Sequence, residues 1–384
     1  MKLFTLFYFL LSLLLFVVAV PFLFLLSFKE KYRDSIPARF FLWKNPPFEK
    51  SGIWFHVCSL GESRALKPLL DLLSEEEINI TTTTHTGFSE SKKYSADVRY
   101  LPFEVFLPFW IKKHKTVVIL EAEFWYMLFA VASARGAEVV LLNARISERS
   151  YPKYMKLKWF YKKMFAYVDK IFVQSDVDKE RFESLGAKSV EVLGNIKLAQ
   201  KITVTKSYEK DSIETIVAAS THKGEDGMIL SEFVLYRKEY ESKLIVVPRH
   251  PERFDEVWQL ITTVCSKNEF TCKRFSQEQS FDADIVLVDA MGELNNIYAI
   301  SDIAILGGAF APIGGHNPLE PATFGCKIIT GKEHFHQLEL FKYVSNVQFC
   351  ELHELHKRII ASQTMQGSKI TKKIDLEKVV KIIG

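Results

Sequence analysis

The chain has 384 residues, 48% of them hydrophobic and 25% charged, which is ordinary usage for a globular protein and excludes a disordered, collagenous or wholly coiled-coil chain. At ~100–200 residues per domain the length suggests two domains. The net charge of +4 is too balanced to argue for nucleic acid, and five cysteines without a Cys-x-x-Cys pair read as free thiols in a reducing compartment, not as a disulfide frame or a zinc site.

From Leu3 to Phe28 no residue is charged. The run is longer than the ~20 apolar residues that cross a bilayer and than the ~7–15 of a cleaved secretory signal. Residues 1–29 are therefore expected to form an uncleaved membrane anchor. Pro21 is a point at which it can kink, and a tilted or partly interfacial helix is the alternative. Only Lys2 precedes the run, whereas Lys29, Lys31, Arg33, Arg39, Lys44 and Lys50 follow it. Basic residues stay on the cytoplasmic side, so the body belongs there.

Beyond the anchor, short β-rich runs alternate with helical stretches. Strands are expected at Ile53–Cys58, Ile78–Thr83, Thr116–Leu120, Glu138–Leu142, Lys170–Val173 and Val190–Leu193. A second set comprises Thr215–Ala219, Leu244–Val247, Ile285–Val288, Ile303–Leu306 and Lys327–Thr330. This alternation predicts parallel sheets in an α/β fold. The polar stretch Lys201–Ser212 separates the sets and places the domains at 30–205 and 206–384. Ligands in such sheets sit beyond the carboxyl ends of the strands, so chemistry is sought just after each one.

Ser59-Leu60-Gly61-Glu62 follows the first strand. Glu62, at a helix start, reads either as a general base kept ionised by the helix terminus or as plain capping. Glu121 and Glu123 follow Thr116–Leu120, and Lys197 follows Val190–Leu193 as a partner for them or for substrate. His85-Thr86-Gly87 reads as a polar glycine loop. In residues 151–165 five lysines interleave with Tyr, Trp and Phe on an expected helix. An interfacial membrane helix and a solvated amphipathic helix both fit, while RNA binding lacks any RRM, KH or helix-turn-helix context.

In the second half, Pro248-Arg249-His250-Pro251 holds a guanidinium at a strand end, suited to a phosphate or to a surface ion pair. Met291-Gly292-Glu293 is a glycine turn before a helix expected to run through Ala299. Glu293 there reads as dipole placement or as a ribose or base contact. Gly307-Gly308 and Gly314-Gly315-His316-Asn317-Pro318-Leu319-Glu320 follow Ile303–Leu306. Asn317 suits an N-cap, Pro318 the first helical position and Glu320 the third. The amides then suit a phosphate, or the pair is a capping box. The spacing is neither a dinucleotide fingerprint nor a P-loop.

Together, Ser59–Glu62, Asn143-Ala144-Arg145, Gly194-Asn195-Ile196-Lys197, Ser220-Thr221-His222-x-Gly224-Glu225, Pro248–Phe254, Met291–Leu294 and Gly314–Glu320 resemble the 3-deoxy-D-manno-octulosonic acid (Kdo) transferases of lipopolysaccharide biosynthesis. The resemblance runs from the anchor to about residue 340. It implies an α/β GT-B glycosyltransferase: two Rossmann-like domains facing a cleft, behind an N-terminal membrane-anchor helix. The donor implied is CMP-Kdo, the acceptor a tetraacyl lipid A precursor, and the site the cytoplasmic face of the inner membrane. Position by position, Glu62 becomes the general base of an inverting displacement, and Glu121 and Lys197 stabilise its transition state. Pro248, Arg249, Met291, Gly292, Glu293, Asn317, Pro318, Leu319 and Glu320 bind CMP. No metal, cofactor or nucleic acid is implied. The C-terminal forty residues show little that matches the family, and a terminal helix is expected there, packing back on the first domain as in other GT-B enzymes. The rival readings are a membrane-associated GT-B transferase using a UDP-sugar and a non-catalytic scaffold.

Overall fold

A computed structural model describes residues 3–73 and 76–384; Lys2 lies outside the described residues. The chain divides into two compact units, Met1–Gln200 with Ile374–Gly384, and Lys201–Lys373. Each is built on a seven-stranded, fully parallel sheet.

In the first unit the strands are β1 (Ile53–Val57), β2 (Ile78–Thr82), β3 (Asp97–Tyr100), β4 (Thr116–Leu120), β5 (Glu138–Ala144), β6 (Lys170–Val173) and β7 (Val190–Val192). Their order is β3-β2-β1-β4-β5-β6-β7. Strands β1, β2 and β4 are buried at every position, as expected when both faces of a parallel sheet are covered. Successive β1 side chains alternate between two cores: Trp54 enters one, and Ile53, Phe55 and Val57 the other.

The second unit contains β8 (Glu214–Thr221), β9 (Ser242–Pro248), β10 (Cys272–Arg274), β11 (Ile285–Leu287), β12 (Ile303–Leu306), β13 (Lys327–Thr330) and β14 (Val347–Phe349). The order is β10-β11-β9-β8-β12-β13-β14. In both sheets the winding reverses beside the first strand, at β1/β4 and at β8/β12. Such switch points open the crevice in which α/β sheets bind ligands.

Several elements differ from expectation. The short edge strands β3, β10 and β14 are additional. In β3, Val98 and Tyr100 are buried and Asp97 and Arg99 half-buried, an alternation too brief to stand out among charged neighbours. The expected loop at His85 is the helix His85–Ser91, capped by the Thr84 hydroxyl accepting from the Gly87 N–H. The lysine-rich segment breaks at Leu157 into Tyr151–Lys156 and Lys158–Phe165. The units meet at residue 200, five residues before the expected border, and residues 374–384, drawn within the second range, belong to the first unit, on which the terminal helix was expected to pack back. Leu376, Val379 and Ile383 are buried in the same core as Leu66 and Leu69, and the Ile383 carbonyl accepts from the Thr116 hydroxyl.

The helices of the first unit include α1 (Leu3–Leu26), α2 (Ser35–Phe41) and α3 (Leu60–Leu72). Pro21 lies within α1.

Candidate active site

In the first unit, both strands at the switch point lead to a glutamate: Glu62 in the first turn of α3 after β1, and Glu121 directly after β4. Ser59 caps α3, its hydroxyl accepting from the Glu62 N–H. The same hydroxyl donates to Glu62 Oε1 at 2.9 Å, and the Cys58 N–H donates to Oε2 at 2.8 Å. These bonds favour the ionised carboxylate, but burial outweighs them. Burial, reinforced by the charges of Glu121 and Glu123, pushes the Glu62 carboxyl up to about 7. The helix terminus was expected to keep Glu62 ionised; its first-turn amides are too few to offset desolvation beside two other carboxylates. The neighbouring Cys58 thiol is pushed up to about 11 by burial and by Glu123, so at neutral pH it is protonated and a poor nucleophile.

Glu121, the residue after β4, has a left-handed backbone (φ 54°). Its carboxylate lies 3.4 Å from Lys197 Nζ and 3.5 Å from Arg145 Nε. The two cations come from different loops, and Asn143 holds both in register. Asn143 also has a left-handed backbone (φ 58°), in the irregular stretch of β5 where its pairing with β6 shifts. Its side-chain oxygen accepts from the Ile196 N–H at 3.1 Å, and its carbonyl from Gln174 at 2.9 Å. Gln174 in turn accepts from Asn195 at 3.1 Å. Glu123 faces elsewhere, 3.6 Å from His56 Nε2 and 2.9 Å from the Trp125 indole N–H. Burial alone would raise its pKa, but His56 and Trp125 hold it below the usual range.

A cavity of about 910 Å³ borders this site. It is lined by Leu26, Ile36, Arg39, Phe40, Thr84 and His85 among others. The Thr84 hydroxyl donates to the Cys58 carbonyl at 2.6 Å, which ties the cavity wall to the residue that holds Glu62. The lining joins apolar side chains to a guanidinium.

In the second unit the loops after β8, β9 and β12 converge. Glu225 braces them: its carboxylate accepts from the Gly308 N–H at 2.9 Å and from the His222 N–H at 2.8 Å. A side chain on Gly307 would meet the Ser220 carbonyl at 2.7 Å, and Gly308 has φ +70°, so both positions require glycine. His222 and His316 stand with their Nε2 atoms 3.0 Å apart and their rings stacked. Burial and the nearby charges of His222, Arg249 and His250 push His316 down to about 4. One neutral imidazole therefore donates to the other at pH 7. Neither histidine has a role legible in the sequence, because their pairing joins loops 94 residues apart.

Arg249 is anchored by its N–H on the Thr221 carbonyl at 3.0 Å while its side chain is exposed. Its neighbour Arg253 is buried and committed to Asp226 and the Thr221 carbonyl. Pro248 is the final residue of β9. Met291 is exposed, and Gly292 has φ +87°. The Glu293 carboxylate accepts from Lys206 Nζ at 2.6 Å, the Tyr208 hydroxyl at 2.7 Å and Asn296 at 2.8 Å. These bonds pin residues 205–208 to the Glu293 loop. The helix expected to reach Ala299 ends at Tyr298.

Asn317 and Glu320 are displaced by one position from the expected capping pattern. The helix is only Leu319–Thr323, with Pro318 at the cap. Asn317 accepts from the Leu319 N–H at 3.1 Å and donates to Glu320 at 3.3 Å. A five-residue helix has little macrodipole, so any anion here depends on individual amides and on cations such as Arg249. Among the described residues, no three His, Cys, Asp or Glu side chains are grouped to hold a metal ion.

Residues 34–200 match the family described as 3-Deoxy-D-manno-octulosonic-acid transferase (kdotransferase). The 3-deoxy-D-manno-octulosonic acid transferase of Haemophilus influenzae is 35% identical over 352 residues, covering 84% of this chain and 81% of that protein. The enzyme of the same name from Aquifex aeolicus is 33% identical, over 73% of this chain and 76% of its own. Among solved structures, the UDP-GlcNAc 2-epimerase of Neisseria meningitidis superposes with a TM-score of 0.56 over 81% of this chain and 92% of that one, at 11% identity. That likeness is one of fold, two Rossmann-like α/β units of the GT-B kind.

Proposed function

Because the chain belongs to the 3-deoxy-D-manno-octulosonic acid transferase family and is a Kdo-transferring enzyme, we propose that its donor is CMP-Kdo and its acceptor a tetraacyl lipid A precursor. The transfer inverts configuration in one displacement, with Glu62 as the base. An acceptor sugar hydroxyl gives its proton to the Glu62 carboxylate as its oxygen bonds to the anomeric carbon of Kdo. The bond from that carbon to the phosphate oxygen breaks, and CMP leaves with the electron pair.

The observation that carries this reading is the Glu62 carboxyl, fixed at a switch point and raised to about 7. A base of that pKa is about half ionised at neutral pH and strong enough to accept a proton late in the attack. Lys197 and Arg145, oriented by Glu121, supply positive charge for the carboxylate of Kdo as the transition state forms. CMP binding is assigned to Pro248, Arg249, Met291–Glu293 and Asn317–Glu320. Arg249 meets the phosphate, and Glu293 shapes its loop through Lys206 and Tyr208. The cavity beside Thr84 joins Leu26, Ile36 and Phe40 to Arg39, which suits a phosphorylated lipid. α1 holds the enzyme on the cytoplasmic face of the inner membrane.

The test is incubation of purified protein with CMP-Kdo and the tetraacyl precursor, beside Glu62→Gln, with mass spectrometry of the lipid. Added Kdo with the wild type alone is the expected result. Transfer by both proteins would remove Glu62 from the chemistry. Displacement of bound donor by UDP in preference to CMP would favour a UDP-sugar.

A further inference from the structure

The length and apolarity of α1 suggest a helix that crosses the bilayer, with the chain's start on the far side. Its packing points elsewhere: we propose that α1 lies along the surface of one leaflet, as an in-plane helix with both ends on the side of the enzyme body. The inference rests on the membrane attachment proposed above and is independent of the reaction assigned.

At ~1.5 Å per residue, 24 residues extend about 36 Å, enough to cross the ~30 Å hydrocarbon core. One face of α1, however, is already occupied by the first unit. Thr5 and Ser12 are buried, and the Thr5 hydroxyl lies 3.0 Å from the Tyr126 hydroxyl and 3.2 Å from that of Tyr167. The Tyr8 hydroxyl donates to the buried Glu104 carboxylate, which also accepts from the Met127 N–H at 2.9 Å. Farther along, Phe16 packs against Phe103 and Phe106, and the helix also touches α2.

The two ends carry charges of the same unit. Lys163 Nζ stands 5.3 Å from the Phe4 ring at the start, and Glu30 and Lys31 follow the end. A spanning α1 would draw Glu104, the tyrosine hydroxyls and one of these charged ends into hydrocarbon. Each charge there costs ~3 kcal/mol or more.

The opposite face is what a leaflet would cover. Leu3, Phe7, Leu10, Leu14, Val18 and Leu25 are between 53% and 85% exposed, and their spacing puts them on one side of the helix. Phe109, 6.5 Å from Phe9, and Trp159, 5.8 Å from Phe4, extend this surface at 78% and 56% exposure. Lys112 and Lys113 follow Phe109 closely, and Lys158, Lys162 and Lys163 surround Trp159. Apolar rows bordered by lysines match a hydrocarbon surface beneath anionic headgroups.

The experiment uses the full chain with one specific protease site before Met1 and another after Gly384, in sealed membranes of both orientations. In inside-out vesicles both sites are expected to be cut without detergent, and in spheroplasts neither. Protection of the N-terminal site in inside-out vesicles, with cleavage in spheroplasts, would establish a crossing helix and overturn the proposal. Recovery of the intact chain in the soluble fraction would instead overturn membrane attachment itself. A second arm compares Phe7→Lys/Leu14→Lys with wild type on vesicles containing anionic lipid. At least tenfold weaker binding is expected, with the melting temperature of the body unchanged. Undiminished binding would show that the outward row is not the contact face.

Discussion

Replacing Glu62 by glutamine separates the chemistry of this carboxyl from its effect on stability. Raising a carboxyl from 4.5 to about 7 penalises its ionised form by ~3 kcal/mol at about 1.4 kcal/mol per tenfold change in affinity for the proton. Partial access to water reduces that to about 1–2 kcal/mol. The sign follows from linkage. Between pH 4.5 and 7 the folded state binds the proton and the unfolded state has released it, so folding loses stability as pH rises through this window. The amide of the Glu62→Gln variant keeps an acceptor for the Cys58 N–H and never ionises. The variant should therefore match the wild type near pH 4.5 and exceed it by about 1–2 kcal/mol above pH 7.5. For a protein of this size that is a melting-temperature difference of roughly 1–3 °C. Transfer should fall by about 10²–10⁴. In the wild type, kcat/KM should decline as pH drops below about 7, because the base becomes protonated. Scanning calorimetry from pH 4.5 to 8.5 reads the stability, and radiolabelled transfer reads the rate. A stability difference that stays constant across this range would refute the raised pKa, whatever the activity.

Three further outcomes test the surrounding structure. Lys197→Met should slow transfer by roughly 100-fold while leaving CMP affinity unchanged, measured by titration calorimetry, because the loops proposed to bind CMP lie in the other unit. Gly308→Ala forces a side chain to φ +70° with its Cβ 3.1 Å from His316, and should cost ~1–2 kcal/mol, read as a lower melting temperature. Deleting residues 374–384 uncovers the partners of Leu376, Val379 and Ile383. At ~1.5–3 kcal/mol per buried side chain, the first unit should melt markedly earlier, while protease resistance of residues 201–373 persists.

Much of the architecture could be read along the chain, and the reason is local. A parallel strand buried on both faces must be apolar over several consecutive residues, so β1, β2 and β4 to β6 were legible as runs. Strands β3 and β10 were not, since Asp97-Val98-Arg99-Tyr100 and Cys272-Lys273-Arg274 carry two charged side chains each, whereas β7, with valines on either side of Glu191, was. Glycine requirements at Gly307 and Gly308 were visible as a motif, although the contact that imposes them on Gly307, with the Ser220 carbonyl, lies on another strand.

The amino-acid sequence by itself determined the two-domain α/β class, the apolar N-terminal helix and the loops in which Glu62, Glu121, Lys197 and Arg249 stand. Each depends on neighbours within a few residues. Tertiary structure alone decided what these side chains can do. It set Lys197 and Arg145 on either side of Glu121, linked Glu293 to Lys206 and Tyr208, and joined His222 to His316. It also buried Glu62 beside other carboxylates, turning a residue that reads as a helix cap into one that titrates near neutrality. It laid Thr5, Tyr8 and Ser12 of α1 against the body, which hydropathy along the chain cannot register. Burial and charge proximity are properties of the assembled sheet, and residues separated by tens of positions acquire them only on folding.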